Sequence, residues 1–223
     1  MLFDLPPSLV AALTGFLFGF LLSVPVGPVN LTIMNEGARR GLVWALLIGL
    51  GAVTMEVIYC ALAFTGFASL FTGREMKRVM ELGSFVFMLY LGIRFLRVRA
   101  VAMPSNVEEQ IEGRLKPQAA FAIGFVRVMA NPGVFAFWIV LAANFISREW
   151  VQATWPGKFS CVAGVAGGTS VWFSGLSYAV SRGHGKFTEK TLLRMEHFSG
   201  FCLLALALSH GIYIVWRMAE HKF

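Results

Sequence analysis

"SVPVGPVNLT", Ser23 to Thr32, lies inside an apolar run that begins at Leu9 and continues to about Met34. A membrane helix needs about 20 apolar residues, and this run is long enough to be one. Yet Pro25, Gly27 and Pro28 stand in its middle. Proline removes a backbone donor, and its ring collides with the preceding turn. Each backbone group left unsatisfied in hydrocarbon costs several kcal/mol, so such a break must face protein or a water-filled cavity.

The rest of the chain has the composition this reading needs. Of 223 residues, 57% are hydrophobic and 14% charged, whereas soluble domains carry about 25% charged residues. The charges cluster between long uncharged runs, the pattern of a polytopic membrane protein. Six spans are predicted, at Leu9–Met34, Leu42–Phe71, Val79–Phe95, Ala119–Ile146, Phe159–Val180 and Phe198–Trp216. The connections are short, the longest running from Arg97 to Lys116 and containing "PSNVEEQIEGRLK". The N-terminus has Asp4 in place of a basic region, and no A-x-A site follows, so the first run reads as an uncleaved span. Lys and Arg number eleven in the loops after spans 1, 3 and 5 and seven on the opposite side, which favours both termini outside the cytoplasm.

Several function classes are set aside by composition. The net charge of +7 comes from clusters flanking spans, with no basic stripe carrying interleaved aromatics, so nucleic acid is not an expected partner. Cys60, Cys161 and Cys202 fall one per apolar run without a C-x-x-C, and read as small buried hydrophobes. His184, His197, His210 and His221 are scattered, so no metal site and no cofactor is expected. No Ser-His-Asp constellation, H-E-x-x-H or phosphate loop appears, and the chain does not read as an enzyme.

The two halves resemble each other. "GFLLSVPVGPVNLTIM" from Gly19 and "GFVRVMANPGVFAFWI" from Gly124 each open on Gly-Phe, reach a proline beside small or amide residues, and resume as helix. "GLGAVTMEV" from Gly49 and "GVAGGTSVW" from Gly164 follow in the same order. A unit of three spans crosses an odd number of times, so its second copy lies upside down. The expected fold is therefore all-α and integral to the membrane: six transmembrane helices as two inverted three-helix repeats, residues 1–100 and 117–223, with spans 1 and 4 broken. Paired breaks at corresponding places point to a midplane binding site in secondary transporters. The half-helix beyond each break turns partial positive charge toward an anionic group. Pro25, Gly27, Pro28 and Asn30 at one break, and Asn131 and Pro132 at the other, are the candidate substrate-binding residues.

Ionisable residues inside a span are functional by default. Glu56 lies about fourteen residues from either end of its run, about 20 Å along the helix. A charged carboxylate at that depth costs at least a few kcal/mol, so Glu56 is the candidate for proton or ion coupling, with a structural pairing to Arg127 or a hydrogen bond to a neighbouring helix as the alternatives. Arg127 is a candidate ligand for a substrate carboxylate, with snorkelling as its alternative. His210 reads as a satisfied packing histidine, and Asn35 and Asn144 as interfacial amides. Gly164 and Gly168 read as a close-packing face. Trp44, Trp138, Trp150, Trp155 and Trp216 read as a membrane-interface belt.

The segment "PVGPVNLTIMNEGARRGLVWALLIGLGAVTMEVIYCALAFTG" resembles the opening of the LysE/RhtB amino-acid exporter superfamily, with its proline break, its basic turn Arg39-Arg40-Gly41, and an acidic residue in a Gly-rich second span. "FMLYLGIRFLR", "GFVRVMANPGVFAFW" and "HFSGFCLLALALSHGIYIVW" are similar to its later segments. The chain departs from the family where Glu56 stands in place of the commoner Asp, where Gly133 follows Asn-Pro, and where "SVPVGP" has an extra residue. The resemblance implies a six-span inverted-repeat fold in a bacterial inner membrane. It implies an antiporter-like exporter of amino acids or related small metabolites, coupled to protons or cations. Small-residue helix faces add a homodimer to the expectations. The alternatives are divalent-metal efflux, a membrane thiol-redox carrier that would need its cysteines brought together, and a non-transporting assembly or receptor subunit.

Overall fold

In a computed structural model of the chain, residues 5–25, 27–67, 74–99, 118–182 and 189–219 are described. The whole of the predicted loop stretch "PSNVEEQIEGRLK", together with His184 and His221, lies outside them. The secondary structure of the described residues is helical: α1 (Pro7–Ser23), α2 (Pro28–Arg40), α3 (Leu42–Leu62, continued by a π-helical turn Ala63–Phe67), α4 (Arg74–Leu96), α5 (Gln118–Met129), α6 (Pro132–Ser147), α7 (Trp155–Ser181) and α8 (Glu189–Ala219).

Both expected breaks are present. α1 and α2 meet at 70° across Val24–Gly27, and α5 and α6 meet at 65° across Ala130–Asn131. Three stretches, Leu42–Thr65, Trp155–Ser181 and Lys190–Trp216, are each long and apolar enough to cross a membrane, and the bent pairs bring the number to five. The predicted third span is shorter in character than expected. α4 has 23 residues, but its first turns, "REMKRVME", are charged, and the apolar stretch is Phe85–Leu96.

Glycine decides which helices touch. A methyl on Gly164 would stand 2.0 Å from the Ala12 carbonyl oxygen, and one on Gly168 2.1 Å from that of Phe16. One on Gly15 would stand 2.0 Å from the Cys161 oxygen. The register advances together on α1 and α7, so this pair is parallel. α3 and α5 form a second parallel pair by the same device: a methyl on Gly51 would meet the Phe121 oxygen at 2.0 Å, and one on Gly124 the Ile48 oxygen at 1.9 Å. In α4 and α8, Gly92 and Gly200 face each other's backbone and Gly211 faces the Phe85 ring, which makes that pair antiparallel. Lipid tails supply no hydrophobic drive between helices, so backbone approach of this kind supplies the contact. Gly164 and Gly168 are thus the packing residues the sequence predicts.

The turn after α6 carries strain. Glu149 sits at φ 61, a left-handed conformation that glycine adopts freely and a side-chain-bearing residue does not. Hydrogen bonds hold the turn: Arg148 N–H to Asn144 O at 3.0 Å, Glu149 N–H to Ile146 O at 3.1 Å, and Val151 N–H to Phe145 O at 3.1 Å. Glu149 is exposed, so its replacement leaves no cavity. Glu149→Gly is expected to stabilise the chain by about 1 kcal/mol, read as a raised midpoint in a thermal melt in detergent. Glu149→Val is expected to lower that midpoint.

Candidate functional site

The first break is closed by its own asparagine. Asn30 is 2% exposed, and its Nδ2 donates to Ser23 O at 2.8 Å and Pro25 O at 2.6 Å, carbonyls that a continuous helix would have used. Its Oδ1 accepts from Trp172 Nε1 of α7 at 3.2 Å. Asn30 therefore holds the bend and ties it to the other half of the chain. α2 begins at Pro28 behind Gly27, with no side chain capping its first turn.

The second break is arranged differently. Asn131 is exposed, and its Oδ1 accepts from Gly133 N at 3.2 Å, capping the half-helix that Pro132 opens. The carbonyl of Met129, at the end of α5, accepts from Tyr59 Oη at 2.8 Å. Tyr59 also lies against Phe135, ring centres 4.9 Å apart. Arg127 is half-buried in the last turn of α5.

Glu56 joins this second group. It is half-buried on α3, one turn before Tyr59, and its Oε2 accepts from Trp138 Nε1 of α6 at 2.5 Å. A carboxylate taken from water keeps a strong donor only if one is placed for it, and the indole is that donor. Glu56, Tyr59, Phe135 and Trp138 thus line the junction of α3 with the second break. Pro25, Gly27, Pro28 and Asn30 belong to the first break and α7.

Four expectations change. Trp138 is 1% exposed and Trp44 8%, so neither belongs to an interface belt; each has a polar or cationic partner in the interior. Trp155 and Trp216 are exposed, as belt residues are. Asn144 is 4% exposed and hydrogen-bonded to His210, so it is a core amide and not an interfacial one. Cys60 and Cys161 are fully buried, as expected, but they also lie near each other between α3 and α7, a proximity the sequence does not reveal.

Sequence reasoning also passed over Glu36. It is fully buried, with Arg40 Nε 2.9 Å from its Oε2 and the Arg40 guanidinium 4.1 Å from the Trp44 ring centre. The i, i+4 spacing of Glu36 and Arg40 was the available signal. For Trp138 the signal was an indole in the interior of a span, where its N–H needs a partner.

Residues 20–213 match the family described as LysE type translocator. The putative amino acid efflux protein YcgF of Bacillus subtilis (strain 168) is 26% identical over 199 residues, covering 89% of this chain and 94% of that protein. The arginine exporter protein ArgO of Escherichia coli (strain K12) is 32% identical over 169 residues, 73% of this chain and 74% of that one. The chemotactic transduction protein ChpE of Pseudomonas aeruginosa is 28% identical over 131 residues, 59% and 63% of the two chains. No solved structure matches.

Proposed function

This chain belongs to the LysE type translocator family, and from that premise we propose that it is a secondary exporter of amino acids or related small metabolites, coupled to a proton or cation gradient. The observation that carries the reading is the pair of bent, proline-broken spans in a family of translocators. Broken helices at corresponding places in two repeats are how many carriers build a midplane site. The efflux and exporter names of the relatives YcgF and ArgO support amino acids as the substrate class. The apolar spans and the family make the chain an integral membrane protein, and its bacterial relatives support the inner membrane.

The glycine contacts support two inverted repeats, residues 1–100 and 117–223. Exchanging the first span with the fourth and the second with the fifth turns the α1–α7 pair into α5–α3. Gly168 against Phe16 and Phe20 then becomes Gly51 against Phe121 and Phe125, and Gly19 against Val165 becomes Gly124 against Ile48. The same exchange maps α4 and α8 onto each other, antiparallel and meeting at Gly92 and Gly200. In this reading a substrate carboxylate lies at the first turns of α2 and α6, near Pro28 and Pro132, with Arg127 on the approach. Glu56 takes and releases the coupling proton. The distribution of Lys and Arg supports both termini outside the cytoplasm.

The thiol-redox alternative gains one observation, the nearness of Cys60 to Cys161. Both are fully buried, which works against exchange with a partner thiol. The test separates the readings. Proteoliposomes loaded singly with labelled amino acids are given an imposed pH gradient. Saturable flux of one or a few amino acids is the expected result, and absence of flux with every amino acid overturns the proposed substrate class.

A further inference from the structure

An indole ties each bend to the other half of the chain. At the first, Trp172 of α7 donates through Nε1 to Asn30 Oδ1 on α2 at 3.2 Å. At the second, Trp138 of α6 donates through Nε1 to Glu56 Oε2 on α3 at 2.5 Å. Both contacts join a half-helix to an unbroken helix. In the proposed exchange of the halves, α2 with α6 and α3 with α7, they are counterparts. Their acceptors differ in kind. Asn30 offers an amide oxygen, which does not titrate. Glu56 offers a carboxylate, whose charge a proton or a bound cation neutralises.

The two bends are also held differently along their own length. Asn30 is buried, and its Nδ2 donates to Ser23 O at 2.8 Å and Pro25 O at 2.6 Å, so one side chain spans both arms. At the second bend Asn131, Pro132 and Gly133 are exposed, and the Asn131 side chain caps its own half-helix. There the two arms are gripped separately, both from α3. Tyr59 Oη donates to Met129 O at the end of α5 at 2.8 Å, and Glu56, one turn earlier, holds α6 through Trp138. Glu56 is the one charged residue of α3, and α6, Pro132–Ser147, has none. Trp138 is buried, so its N–H depends on this acceptor.

We propose that Trp138 is a positioning residue that carries the charge state of Glu56 into α6, so that the second bend is held while Glu56 is a carboxylate and loosens when Glu56 is neutralised, and the first bend stays fixed throughout. A hydrogen bond with an ionised partner is about twice as strong as a neutral one. An event at Glu56 biases two arrangements of α6 by that difference and by no more. The bonds at Asn30 supply no such difference, because neither indole, amide nor peptide carbonyl changes charge. This role rests on Glu56 as the coupling group, and it adds that the two halves do not move alike. α6 is the half-helix that yields, and α2 is its fixed counterpart.

Amide hydrogen exchange tests this on the full chain in nanodiscs, at one pH and without substrate, so the outcome does not depend on whether amino acids are transported. The reporters at the second bend are the amides of Gly133 and Val134, which donate to Asn131 Oδ1 and O. Those at the first are the amides of Gly27 and Leu31, which donate to Pro25 O and Gly27 O. Trp138→Phe removes the donor and keeps a ring in its place. It is expected to speed exchange at the second bend by about tenfold, as loss of a hydrogen bond to a charged group does. Glu56→Gln leaves a neutral acceptor, and a smaller acceleration is expected there. The double variant is expected to exchange no faster than Trp138→Phe alone. The first bend keeps the parent's rates in all three, and Trp172→Phe quickens that bend alone. If Glu56→Gln still accelerates exchange without the indole, Trp138 is merely structural and the proposal is overturned. An unchanged second bend in Glu56→Gln, or an equal rise at both bends, overturns it too. Should Trp138→Phe not fold, ¹⁵N NMR of tryptophan-labelled protein decides. The Trp138 Nε1–H signal is expected to move upfield in Glu56→Gln while that of Trp172 holds, and an unmoved Trp138 signal overturns the role.

Discussion

Glu56→Gln proteoliposomes are expected to lose gradient-driven amino-acid accumulation while keeping downhill exchange. The substitution keeps the shape of the side chain and an oxygen that still accepts from Trp138 Nε1, which now lies 2.5 Å from the carboxylate. Packing at the α3–α6 contact is therefore preserved, and the ability to carry a proton is removed. One proton moved per substrate, across one pH unit, drives about tenfold accumulation, since a pH unit is worth about 1.4 kcal/mol. In the variant that ratio falls to about one. Undiminished accumulation would place the coupling group elsewhere. Loss of downhill exchange as well would mean that Glu56 serves the substrate and not only the proton.

The second large effect is structural. Gly124→Ala places a methyl 1.9 Å from the Ile48 carbonyl oxygen, 2.8 Å from the Ile48 carbonyl carbon and 3.1 Å from Ala52 N. These are backbone atoms of α3, so no rotamer change relieves the clash, and the helices must part. Overpacking against movable side chains typically costs about 1–3 kcal/mol; against main chain the expected loss exceeds about 3 kcal/mol. It is measured as the fall in thermal midpoint in detergent, alongside Gly175→Ala. Gly175 has nothing within 4 Å of an added methyl, so there the helix preference for alanine governs, a gain of up to about 1 kcal/mol. Similar midpoints for the two variants would remove the close backbone contact from the account of what holds these helices together.

The features legible in the sequence are those that proline, glycine and charge announce. Pro25, Gly27, Pro28 and Pro132 locate both bends because no other residues break an apolar helix so plainly. Under the proposed inverted repeat, the comparison of Gly19 with Gly124 keeps the register of the glycine contacts. The comparison of Gly49 with Gly164 is displaced, since Gly51 and Gly168 are the residues in equivalent contact. The reason is that "GVAGG" offers several glycines of equal merit, and a helix register cannot be read from a repeat of identical residues. What the sequence hides is partnership. That Glu56 meets Trp138, that Tyr59 serves Met129, and that Asn144 meets His210 depend on helix rotation and pairing, to which hydropathy is blind. The reading of Asn144 as interfacial failed because nearness to a span end says nothing about which way the residue faces.

The glycine contacts also determine which lesions in this chain can be repaired genetically. At Gly211 an added methyl meets the ring of Phe85, and at Gly92 it meets first the tip of Leu204. There, a smaller residue at the opposing position returns the lost room, and second-site revertants follow. At Gly15, Gly51, Gly124, Gly164 and Gly168 the obstacle is a peptide carbonyl, which every one of the twenty amino acids carries. No single compensating codon exists for those five positions, so drift at them is closed from both sides of the contact, and each sequence descended from this one inherits the same five small residues or a different helix pairing.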